Sequence, residues 1–177
     1  MNLSLIKASK EYESLILEML SEWKEYNLDH DDVNKSPWAI FREYDTFENF
    51  IKMLNDDEDI SKIKPGLVPS STYFLLDNDR HKVVGATNIR HYLNESLRNG
   101  GGHIGDGIRP SERGKGYGKA IIALALEKCK ELGIKEVLMA CHSDNPASRK
   151  TILANKGIYE RTIPDEDKEL EQYWIKL

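Results

Sequence analysis

The sequence predicts an α/β fold: a mixed, mostly antiparallel twisted sheet of about seven strands with helices on both faces. Three observations point to it. TYFLLD (72–77) and KVVGATNIRHYL (82–93) are β-rich runs separated by Asn78-Asp79-Arg80-His81, which is hairpin spacing with turn-forming residues. A strand–helix–strand passage between 103 and 142 implies a parallel pair joined by a right-handed crossover. Two further β-rich runs, GIYERTI and QYWIKL, close the chain as antiparallel neighbours.

The remaining elements follow in order. LSLIKA (3–8) fits a first strand, and EYESLILEMLSEWKEYN a first helix, with Leu15, Met19, Trp23 and Tyr26 at helical spacing. Residues 29–45 are irregular, and TFENFIKML fits a second helix capped by Thr46. The polar, turn-rich stretch 55–71 and the Gly-rich connection 94–102 read as loops. GHIGDGIR reads as a strand whose glycines (Gly102, Gly105, Gly107) mark a bulge or a close approach of another backbone or a ligand. A helix from near Gly114 to Leu132 buries Ile121, Ile122, Ala125, Leu126, Cys129 and Leu132 and stops at Gly133. KEVLMACH is a strand, and Asn145-Pro146 opens a last helix that ends near Lys156-Gly157.

The bulk properties restrict the function. A chain of 177 residues, 40% apolar and 31% charged, supports one soluble domain with its own core. Its net charge of −5 disfavours nucleic acid or an anionic membrane as partner. No run is apolar enough to span a membrane and the N-terminus lacks signal-peptide features, so a cytoplasmic location is expected. Cys129 and Cys141 have no metal-ligand spacing and read as buried thiols; no metal is expected.

Against that acidic background, IRPSERGKGYGKA (108–120) concentrates cations and three glycines at a strand-to-helix junction. A helix N-terminus offers unpaired N–H groups and partial positive charge, and glycines let a phosphate approach the backbone. The stretch fails as a P-loop, since Arg113 stands where the first glycine belongs and Ala120 where the Ser/Thr belongs. It also fails as a dinucleotide fingerprint, whose third glycine would be Lys119 or Ile121. Arg-x-x-Gly-x-Gly does fit, on Arg113, Gly116 and Gly118.

At these residues, and at Asn145-Pro-Ala-Ser148-Arg149-Lys150 with Asn155-Lys-Gly157, the chain resembles the GNAT superfamily of N-acetyltransferases. From about 102 to 177 it is most similar to a bacterial branch with "GGHIG…IRPSERGKGYG", "NPASRK" and "YWIKL"; the N-terminal half agrees in element order alone. The resemblance implies a V-shaped splay between two central parallel strands that holds acetyl-CoA. It implies an acceptor half (about 1–100) and an acetyl-CoA-binding half (about 101–177). Arg113, Gly114, Lys115, Gly116, Tyr117, Gly118 and Lys119 would hold the pyrophosphate, Ile108 the pantetheine amides and Asn145 the pantetheine arm. A homodimer through the C-terminal strands is compatible with it.

Acetyl transfer to an amine needs the ammonium proton removed, since a free alkylammonium has a pKa of about 10.4, and the departing thiolate needs a proton. Many relatives supply that proton from a Tyr seven residues after the Asn; here Ile152 stands there. Asp106 is the candidate base and Ser148 a candidate donor to the thiol, each with a plain structural alternative. His103, His142 and Tyr159 are further candidates, equally readable as sheet residues. The acceptor is expected to be a small-molecule or peptide amine. Asp29, Asp31, Asp32, Glu43, Asp45 and Asp56 to Asp59 make the N-terminal half acidic, as a cationic amine would require, or as a solvated face would show. Trp23, Trp38 and Tyr44 line a pocket or pack the core. The missing Tyr leaves open a non-catalytic CoA-binding sensor, and transfer of a longer acyl group is a third reading.

Overall fold

The computed structural model describes residues 1–30 and 35–177, so Asp31 and Asp32 lie outside the described residues. The order is β1 (Leu3–Ile6), α1 (Glu13–Leu28), α2 (Phe47–Asp56), β2 (Ser70–Asp77), β3 (Lys82–Arg90), α3 (Glu95–Arg98) and β4 (Ile104–Ile108). Then come α4 (Tyr117–Glu131), β5 (Glu136–His142), α5 (Pro146–Ala154), β6 (Ile158–Asp165) and β7 (Lys168–Lys176). Thr46 caps α2 as expected, its hydroxyl accepting from the Asn49 N–H at 3.2 Å. The Gly-rich connection contains a short helix that the glycines obscured, with Asn94 accepting from the Leu97 N–H at 2.9 Å. Helix α4 starts later than expected because Gly114 and Gly116 take φ values of +77° and +90°. Leu132 follows the last turn of α4 and is therefore exposed rather than buried.

The strands form two antiparallel ladders, β1-β2-β3-β4 and β5-β7-β6. The expected parallel ladder between β4 and β5 is not formed. One bridge of antiparallel pattern, Gly102 to Met139, joins the two sheets. Next to it the His103 N–H donates to the Leu138 carbonyl at 2.8 Å, and the Leu138 N–H donates at 2.9 Å to His103 Nδ1. The imidazole thus stands where a ladder would offer a carbonyl, and the backbones part. Past this junction Ile104 to Asp106 wall one side of a cleft and Ala140 to His142 the other. Both strands leave the junction in the same sense and diverge, which is the predicted splay.

Two apolar cores position this cleft. One joins α4 and Ile152 of α5 to strands of both sheets through Ile89, Ile104, Ile121, Ile122, Val137 and Tyr173. The other packs α1 and α2 on the opposite face of β2 and β3, around Trp23, Phe50 and Phe74. Along β4, Ile104 and Ile108 face the first core, so Asp106 shares their side, while Gly105 and Gly107 face Ser36 and Trp23. A Cβ on Gly107 would lie 2.7 Å from the Trp23 ring, so the close approach there comes from the protein itself.

Two stability measurements test these contacts. His103→Ala would leave the buried Leu138 N–H unpaired, a loss of about 1–3 kcal/mol that lowers the urea midpoint, and His103→Asn should recover part of it. Burial, aided by the Arg90 charge, lowers the imidazole pKa from 6.5 to about 4. Its contribution to stability is therefore full above pH 6.5 and lost as pH falls towards about 4, a decline that His103→Asn should flatten. In the α4–α5 contact, a Cβ on Gly118 would sit 3.0 Å from Thr151 Cγ2. Gly118→Ala should lower the melting temperature, and adding Thr151→Ser should restore it.

Candidate active site

The turn between β4 and α4 is held at both ends by charge. Arg109, buried, donates to Glu18 at 2.8 Å and Glu22 at 2.5 Å, and Glu22 also accepts the Ser111 N–H at 2.9 Å. Glu112, also buried, receives Arg80 and Lys82 at 2.8 Å each and Lys115 at 2.9 Å. These bonds, Arg80's foremost, hold its carboxyl well below the usual carboxylate range despite burial. The Tyr117 hydroxyl donates to Asp77 at 2.6 Å and accepts from Arg80 at 3.0 Å.

What such anchoring leaves outward is backbone. Among the described residues, nothing accepts a hydrogen bond from the amides of Gly114, Lys115 or Gly116, and the first turn of α4 adds further unpaired N–H groups. A Cβ on Gly114 would meet nothing within 4 Å, so the space above it is open. Lys119 is exposed beside it. Arg113 lies over the Tyr26 ring at 4.7 Å and its Nε donates to the Ile108 carbonyl at 3.2 Å.

Several side chains expected at the phosphate are turned elsewhere. Lys115 is tied to Glu112, and Tyr117 is buried on Asp77, so each has only its amide to offer. Gly118 makes room for Thr151, which is reason enough for a glycine. The Ile108 side chain packs in the core and its carbonyl is covered by Arg113. Arg113 and Lys119 remain as the outward cations.

The cleft between β4 and β5 has a volume of about 150 Å³ and brings Asp106, Asn145 and Ser148 together. Burial pushes the Asp106 carboxyl up to about 6. Asn145 caps α5, its Oδ1 accepting the Ser148 N–H at 3.0 Å. Cys141, which no sequence signal placed here, also lines the cleft; burial, then the Glu171 charge, pushes its thiol up to about 11.

His142 reaches the cleft wall, with Nε2 2.8 Å from Asp165, whereas His103 is spent on the sheet junction. Ile152 is fully buried in the core, so its position does not face the cleft. The Tyr159 hydroxyl pairs with Thr162 at 2.9 Å on the surface. Trp23 is core, Tyr44 packs on Phe50 at 4.6 Å, and Trp38 stands exposed beside Arg42. The acidic run is locally paired: Asp56 and Asp59 with Lys62, Asp57 with Arg42, Glu58 with Lys7.

A second cavity of about 190 Å³ lies on the α1–α2 side of the sheet, walled by Trp38, Ser70, Asn88, Asn94 and Leu97. Arg90 borders both cavities. No sequence signal marks it, because a lone arginine ending a β-rich run is ordinary.

Comparison with known proteins agrees with this geometry. The profile of the acetyltransferase (GNAT) family matches residues 20–153. No curated protein sequence matches the chain. Among solved structures, the ribosomal-protein-S5-alanine acetyltransferase from Vibrio fischeri superposes with a TM-score of 0.67 at 15% identity, over 98% of this chain and 91% of that one. A chimera of the Vibrio cholerae spermidine N-acetyltransferase SpeG gives 0.65 at 13% identity, over 99% and 96%. A putative acetyltransferase from Salmonella typhimurium, solved with its cofactor acetyl-CoA, gives 0.65 at 12% identity, over 99% and 94%. At such identities the superpositions speak for the fold, and the family match, which spans most of the chain, says whose fold it is: the protein belongs to the GNAT family of acetyltransferases.

Proposed function

We propose that the protein transfers the acetyl group of acetyl-CoA to the primary amine of a small molecule or peptide. The observation that carries this reading is the turn at 113–118, where the unpaired amides of Gly114, Lys115 and Gly116 follow a strand that walls the cleft. The donor set fits a pyrophosphate: free N–H groups, open space above Gly114, a helix N-terminus, and the cations Arg113 and Lys119. Residues 1–100 then serve the acceptor and 101–177 the donor within one domain.

Acetyl-CoA supplies an activated thioester carbonyl, and the chain's own residues orient the amine and move protons. The Asp106 carboxylate takes the ammonium proton, which its raised pKa suits it to do near neutrality. On collapse the amine loses a second proton and the leaving thiolate gains one, with the Ser148 hydroxyl placed in the cleft to relay it. Asn145, holding Ser148 in place, keeps its amide N–H groups for the pantetheine arm. The solved relatives named above acetylate different acceptors on one fold, so the acceptor must be read from the site and not from the architecture.

Two measurements test the reading. Calorimetric titration should show binding of acetyl-CoA and CoA but not of ATP or NAD. Lys119→Glu should weaken acetyl-CoA about tenfold, as expected for one charge-assisted contact; unchanged affinity would remove the pyrophosphate assignment. With a turned-over amine, kcat/KM should climb through pH about 6 as Asp106 ionises. Asp106→Asn should remove that limb and lower kcat/KM about 100-fold or more while leaving acetyl-CoA affinity unchanged.

A further inference from the structure

The chain has eight arginines, and six of them (Arg42, Arg80, Arg98, Arg109, Arg149 and Arg161) lie within 4.0 Å of a carboxylate. Among the described residues, two have no acidic partner. One is Arg113, exposed on the turn already assigned to phosphate. The other is Arg90, half-buried at the end of β3. Among the described residues its side chain makes one hydrogen bond, a long contact from Nη1 to the Gly102 carbonyl at 3.4 Å.

Burying a guanidinium without an anion is costly, and the described residues supply none here. The position of Arg90 says where an anion would come from. Its guanidinium lies against Gly105, where a Cβ would stand 3.5 Å from Nη1 and 3.6 Å from Nη2. Gly105, Ser36 and Arg90 line the first cleft together, on the face of β4 opposite the Asp106 side chain, and Arg90 borders the second cavity as well. Along β4 it sits at the Gly102 end, away from the phosphate turn that follows Ile108. An anion on the donor's pyrophosphate is therefore not the partner. A planar guanidinium suits a carboxylate, which it grips with two parallel N–H bonds. Ser70 stands in the same cavity; it accepts from Asn88 Nδ2 at 3.0 Å and keeps its own proton to donate.

We infer that the acceptor is an amine that also carries a carboxylate, and that Arg90 is the residue that selects it by binding that carboxylate where the two cavities meet. This rests on the acetyl-transfer reading for its reaction, but the binding step is testable alone. The lack of charge compensation around Arg90 among the described residues separates this substrate class from polyamines, which would bring a second cation to it.

The test compares the proteinogenic L-amino acids with their α-carboxamides as acceptors, since each pair differs in the carboxylate and keeps the same side chain. Dipeptides form a third arm that distinguishes a free amino acid from a peptide. The wild type should favour acids over amides by tenfold or more in kcat/KM. Arg90→Gln should bring that ratio to about one through KM, and Arg90→Lys should retain part of it. Acetyl-CoA affinity should be unchanged in both variants, which also reports that they are folded. Amides or spermidine used as well as acids by the wild type, or a ratio unaltered in Arg90→Gln, would overturn the inference. If no amine is turned over, calorimetry with the same acids and amides in the presence of CoA still decides. Arg90-dependent binding of acids alone would uphold the carboxylate site and count against the transfer reading, and equal or absent binding would overturn the site.

Discussion

The pair of hydrogen bonds between His103 and Leu138 is the point on which the architecture turns. Two sheets of four and three strands must lie edge to edge yet leave a gap wide enough for a ligand. A continuous ladder would close the gap, and no contact would leave two exposed edges with unpaired backbone. Replacing a ladder carbonyl by an imidazole nitrogen gives one paired position and then releases the strands. Burial keeps that nitrogen free to accept by disfavouring the protonated ring. The histidine's value lies in being neutral, so it is removed from the list of proton carriers for the reaction.

Charge is distributed on the same economy around the turn between β4 and α4. Seven of the groups that make this region look basic or acidic in the sequence (Arg80, Lys82, Arg109, Glu112, Lys115, Glu18 and Glu22) are bound to one another. They fix the conformation of the loop and cancel much of its charge. The electropositive character that remains comes from amide dipoles and from two outward cations. A rigid ring of donors needs no rearrangement when an anion arrives, which is what preorganised recognition requires.

Much of this was legible in the sequence because periodicity, caps and turn residues are local signals. The hairpins, the Thr46 and Asn145 caps, and the glycine-bearing turn appear where local chemistry put them. What could not be read was tertiary. Nothing adjacent to Lys115 or Tyr117 announces that Glu112 and Asp77 will claim their side chains. Gly118 looked like part of a phosphate motif, and its contact with Thr151 depends on how two helices cross. Arg90 was invisible for a related reason, since having no acidic partner among the described residues is a property of their packing and of no window of sequence.

The division of the interior into two cores has an evolutionary consequence. The core under α1 and α2 is built from residues between Ile16 and Ala86, whereas the core beneath α4 draws on both sheets and both C-terminal helices. The two share few side chains, but the first is tied to the turn between β4 and α4 by Glu18 and Glu22 of α1, which hold Arg109. Mutational drift in the α1–α2 core therefore reaches that turn through two carboxylates and a buried guanidinium rather than through apolar packing.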